Sequence, residues 1–124
     1  MKKRSAAIVI IFLSLVIGSL TVEAGIVEGF SYGESTGVAI LNCNSNGCAA
    51  ATSCNNYDVK ADLKGYFFDE AGMLRYSYTE STDYEIVTIV FYSNSSHDYF
   101  YAISHHFVNE EEVLEDPLYM SRTD

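Results

Sequence analysis

Cys43, Cys48 and Cys54 are the only thiols of the chain, and all lie in the stretch LNCNSNGCAAATSCN, Leu41 to Asn55. Their intervals are C-x4-C and C-x5-C. Structural zinc sites use tighter pairs and four ligands. The C-x-x-C of thiol oxidoreductases is absent. In an oxidising compartment, thiols this close form a disulfide. Spacing leaves three pairings open: Cys43 with Cys54, Cys43 with Cys48, and Cys48 with Cys54. The third thiol is then either buried or able to join two subunits. A bridge within such a loop contributes roughly 3 kcal/mol by restricting the unfolded chain. No metal and no cofactor is expected.

The histidines are His97, His105 and His106. The adjacent pair, if on a strand, points to opposite faces and cannot grip one ion. Tyr99, Tyr101 and His105 share a parity and form a candidate binding stripe, suited to stacking on a ligand or a sugar. Ser35 occupies the centre of GESTG, which fits G-x-S-x-G. That motif activates a serine only between a strand and a helix of a larger α/β sheet. Here a β-branched run follows, so a turn is expected instead. The run Glu110 to Glu112 reads as a solvated helix start rather than a cation site. Asn94 to Ser96 spells a glycosylation sequon, which matters only in an organism that glycosylates secreted proteins. No nucleophile, base and orienter assemble, so the chain is not expected to be an enzyme.

The opening MKKRSAAIVIIFLSLVIGSLTVEAG has a basic start, an apolar run from Ala6 to Val22, and small or short residues at Val22 and Ala24. This is the pattern of a secretory signal peptide over residues 1–24, cleaved after Ala24. The expected mature domain is residues 25–124, secreted or periplasmic, with no stable membrane insertion after cleavage. It keeps 4 of the 7 basic and 16 of the 17 acidic side chains, a net charge of −12. Such a surface repels nucleic acid and favours a basic protein partner.

These residues must be positioned by strands. Tyr57, Val59, Ala61, Leu63 and Phe67 alternate with Asp58, Lys60, Asp62 and Lys64, the period of a half-buried strand. Leu74, Tyr76 and Tyr78 alternate with Arg75, Ser77 and Thr79 after a turn at Asp69–Gly72, which predicts a hairpin. Gly25–Gly33 and Ser35–Cys43 predict another. The cysteine stretch reads as a loop, with CAAATSC able to form one helical turn. YEIVTIVFY, Tyr84 to Tyr92, is apolar on both faces and predicts a central strand, with Tyr99–Val108 antiparallel to it. Asn109 looks like an N-cap, with Glu112 at the third helical position and Pro117 as the stop. The predicted fold is mainly β: an antiparallel meander of about six strands, sandwich or barrel-like, with a short C-terminal helix.

The leading functional expectation is therefore an acidic extracytoplasmic protein-binding domain, an inhibitor or immunity factor against a cationic protein. The alternatives are a surface or matrix component that self-assembles, and a small-ligand or carbohydrate-binding domain.

Overall fold

The computed structural model describes residues 24–70, 72–82, 85–93 and 96–122. The leader expected over residues 1–24 lies outside this range except for Ala24, as do Asn94 and Ser95 of the sequon. Among the described residues nine strands run in chain order: β1 (Ala24–Tyr32), β2 (Ser35–Cys43), β3 (Gly47–Cys54), β4 (Val59–Asp69), β5 (Gly72–Thr82), β6 (Ile86–Tyr92), β7 (Tyr99–Val108), β8 (Glu111–Glu112) and β9 (Leu118–Arg122). They form two open sheets, β1-β2-β3-β6 and β5-β4-β7-β8, with β9 also paired to β7. All pairings are antiparallel. One buried cluster draws on both sheets, with Leu41, Cys48 and Ile89 from the first and Leu63, Phe67 and Val108 from the second.

The simple meander does not hold. The chain passes from the first sheet to the second between β3 and β4, returns between β5 and β6, and crosses again between β6 and β7. Consequently β7 pairs with β4, not with β6. β6 is an edge strand of the first sheet rather than a central one. Its apolar residues on the outer side, Val90 and Tyr92, stay exposed.

Local chemistry explains the hairpins. Gly33 has φ +59° at the first position of the β1–β2 turn, as a II′ turn requires. Asn44 closes the β2–β3 turn through its Oδ1, which accepts from the amides of Asn46 at 2.8 Å and Gly47 at 3.0 Å. The cysteine stretch is thus a hairpin and not a loop. CAAATSC is strand, and every residue of β3 is buried.

The predicted C-terminal helix is absent, and among the described residues no helix occurs. Asn109 and Glu110 instead take φ of 49° and 65°, the paired left-handed conformations of a I′ hairpin turn. Val108 pairs with Glu111 across it, and the Asn109 amide donates to the Asp58 carbonyl at 3.0 Å. Strand pairing satisfies these backbone groups, so capping is not needed. Val113 and Leu114 still pack on the core, as partly buried residues of a connection.

Candidate functional site

Alternation along β7 buries Phe100, Ala102, Ser104, His106 and Val108 and turns Tyr99, Tyr101, Ile103, His105 and Phe107 outward. The expected parity of Tyr99, Tyr101 and His105 holds. Register then brings in residues from other strands. Arg75 of β5 lies opposite Tyr66 of β4, and Tyr66 opposite Tyr101. The row beside it runs Met73, Phe68, Tyr99. The Tyr66 and Tyr101 rings are near-parallel with centroids 5.5 Å apart, and Phe68 and Tyr99 stack at 5.1 Å. Such pairs contribute roughly 1 kcal/mol each beyond the area they bury.

A groove of about 840 Å3 opens along the Arg75, Tyr66, Tyr101 row and the neighbouring Ser77, Lys64, Ile103 row, lined also by Met73, Gly65 and Tyr76 but not by Phe68 or Tyr99. Gly65 is required there. A Cβ would strike the Tyr101 carbonyl, the Tyr76 hydroxyl and the Ala102 backbone. Arg75 also donates from Nε to the Met73 sulfur at 3.4 Å, and both side chains are exposed.

The charge on this face is opposite to that of the whole chain. Among the described residues the lysines and arginines are Lys60, Lys64, Arg75 and Arg122. Lys60, Lys64 and Arg75 share the outward parity, against Asp62 and Glu112. Lys60 sits with Nζ 4.3 Å from the centre of the Phe107 ring. Arg122 is elsewhere, donating to Ser45 Oγ at 3.1 Å. Two acidic side chains, Asp58 and Glu110, line a second cleft of about 660 Å3 with Val59, Lys60, Ser81, Thr82 and Asn109, beside the β7–β8 turn.

His105 stands apart from the tyrosine pair, with Ile103 between them, and contacts Glu112 Oε1 through Nδ1 at 2.9 Å. His106, on the opposite face, is wholly buried. Its Nδ1 lies 2.7 Å from Thr52 Oγ1 and its Nε2 2.7 Å from Ser104 Oγ. The Thr52 hydroxyl donates its one proton to the Lys60 carbonyl at 3.1 Å. It can therefore only accept from His106, which fixes the proton on Nδ1 and leaves Nε2 to accept from Ser104. Burial, and then the neighbouring His105, hold the imidazole down at about 4, against smaller opposing effects of the Ala51 backbone and Asp62. Ser104 and His106 have the contact of a nucleophile and its base, but both are fully buried and no substrate reaches them.

The disulfide joins Cys43 and Cys48, directly opposite residues of β2 and β3 with Cα atoms 4.1 Å apart. Cys54 lies at the far end of β3, free and fully buried, so it is not presented for an inter-chain bond. Burial, then Glu85, pushes its thiol up to about 11. Ser35 opens β2 after the Gly33 turn, a strand start with no helix behind it. Among the described residues, no group of three or more His, Cys, Asp or Glu side chains is placed to hold a metal ion. No helix among them is long and apolar enough to cross a membrane.

Tyr66, Phe68, Lys64 and Arg75 carry no motif that marks them as site residues in the sequence. Their parity was readable, since residues 60, 62, 64, 66 and 68 fall on one face of β4. Their union with Tyr99 and Tyr101 depends on the β4–β7 register, which spans distant parts of the chain. Compared with family models, curated proteins and solved structures, the chain matches none.

Proposed function

We propose that this chain is an extracytoplasmic binding module that acts without catalysis, and that its ligand lies in the groove on the outer face of β5, β4 and β7. The observation that carries this reading is the coincidence of Lys64 and Arg75 with the Tyr66–Tyr101 pair, in a chain of net charge −10. Cations concentrated against the prevailing sign select an anionic ligand. Flat aromatic surface beside them suits a ring, so an acidic glycan bearing uronate or sulfate groups is the class that fits best. The cationic partner expected from net charge does not suit this face.

The test is titration calorimetry with polygalacturonate and a sulfated glycan, against neutral dextran. Binding to the acidic polymers is expected, weakened at least about tenfold by Arg75→Glu and also by Tyr101→Ala. Equal binding of dextran would remove the charge argument. A second reading, capture of a basic protein, is favoured by Asp58 and Glu110 lining the other cleft. It predicts binding of a cationic protein that Glu110→Lys abolishes and Arg75→Glu leaves intact.

A further inference from the structure

β5 is the open edge of the second sheet. It pairs with β4 over its whole length, from Asp69–Gly72 to Val59–Thr82, without a bulge. From Met73 to Ser81 every side chain except Tyr76 is exposed. Met73 is 54% exposed, Leu74 40% and Tyr78 45%, so apolar surface accompanies the bare backbone. Natural edges are blunted by proline, charged side chains, bulges or short length. Over its 11 residues β5 has no proline, lysine or bulge, and its charges are Arg75 and Glu80 alone. The other open edges differ. β1 carries Gly25 and Gly29, and β6 has 7 residues. β8 and β9 have 2 and 5 residues and divide the edge of β7 between them.

We infer that β5 is a dimerisation edge, on which a second copy of this chain adds its own β5 antiparallel about a twofold axis. Self-pairing suits this strand because of its charge. Two chains of net −10 repel, but β5 between Met73 and Ser81 holds one cation, Arg75, and one anion, Glu80. A twofold axis normal to the sheet pairs residues of like parity, so that outer faces stay continuous. The register that uses Met73 to Ser81 in full centres on Ser77. It sets Met73 against the partner's Ser81, Arg75 against the partner's Thr79, and Leu74 against the partner's Glu80. No like charges then stand opposite one another. Met73, Arg75 and Ser77 also line the groove described above. Pairing brings the two grooves together at the seam into one longer channel, fit for a polymeric ligand. The inference stands on the edge itself and does not need that ligand.

Ser77 is exposed and meets itself in this register, which makes it the decisive position. Sedimentation velocity of the purified protein over a range of concentrations should show a reversible monomer–dimer equilibrium. Ser77→Lys and Ser77→Glu should each raise the dissociation constant about tenfold, because like charges then stand directly opposite. Lys64 lies opposite Ser77 on β4, so the lysine variant should lose more. An equimolar mixture of the two variants should dimerise again. Circular dichroism spectra and melting midpoints close to those of the parent would establish that each variant is folded. Three results would overturn the inference: a monomer at every concentration, a dimer indifferent to both substitutions, or a dimer that a reductant dissolves.

Discussion

Acid should destabilise this protein through one buried residue. His106 holds its proton on Nδ1, and both ring nitrogens are engaged, by Thr52 and Ser104. A second proton on Nε2 would reverse the bond with Ser104, whose oxygen can accept, and place a charge in the core. In the folded chain the group titrates at about 4, against an unfolded value of 6.5. Between those values the unfolded chain binds a proton that the folded chain does not. Stability is therefore complete above pH 6.5, falls as pH drops, and this contribution is gone at about pH 4. At 1.36 kcal/mol per unit, the loss is about 3 kcal/mol. That is a large part of the 5–15 kcal/mol, roughly, that holds a small domain together. Urea unfolding at pH 7 and pH 4 measures it. His106→Gln keeps hydrogen-bonding capacity without titrating, so its stability should change about 3 kcal/mol less over the same interval. If parent and variant show the same pH dependence, His106 is not the sensor and the burial argument fails. Imidazole NMR shifts should show His106 neutral at pH 5.5, where an unperturbed histidine is mostly charged.

Other outcomes follow from single contacts. Tyr76 buries its hydroxyl without a partner, and burial raises its pKa; Tyr76→Phe should stabilise by about 1 kcal/mol in urea denaturation. Replacing Cys43 and Cys48 together by serine should cost about 2 kcal/mol, the figure for a short closed loop, with both midpoints measured under oxidising conditions. Cys54 should resist iodoacetamide at pH 8 in the folded protein and react once unfolded, as followed by mass spectrometry. Gly65→Ala should destabilise by about 2–4 kcal/mol, seen as a lower melting temperature, because backbone at Tyr101 and Ala102 must move.

The alternating strands were legible where one face is wet. β4 and β7 carry their burial in their parity, and Tyr99, Tyr101 and His105 could be placed on one face from residue order alone. β3 could not. It is buried on both faces, so Cys48 to Cys54 shows no alternation, and its three alanines favour a helix in isolation. Asn109 and the acidic run after it satisfy the local rules of a helix start equally well. What decides against a helix is the pairing of Glu111 with Val108, a tertiary fact with no local signal. The groove was half legible for the same reason. Parity put Lys64 and Tyr66 on the outside of β4, but only the register with β7 sets them beside Tyr101.

The threefold crossing of the chain between the sheets has a kinetic meaning. β1, β2 and β3 form from neighbours in sequence, as do β4 and β5, and these pieces can appear early. Neither piece is a finished sheet. β3 waits for β6 and β4 waits for β7, and these two strands are consecutive in the chain. One segment, Ile86 to Val108, therefore completes both sheets, and its arrival is the step at which loop-closure entropy must be met. Folding should then be slow for the size of the domain, in the range of milliseconds to seconds typical of non-local β pairing. Unfolding should proceed as a single transition seen alike by every probe, because losing this one segment opens both layers at once.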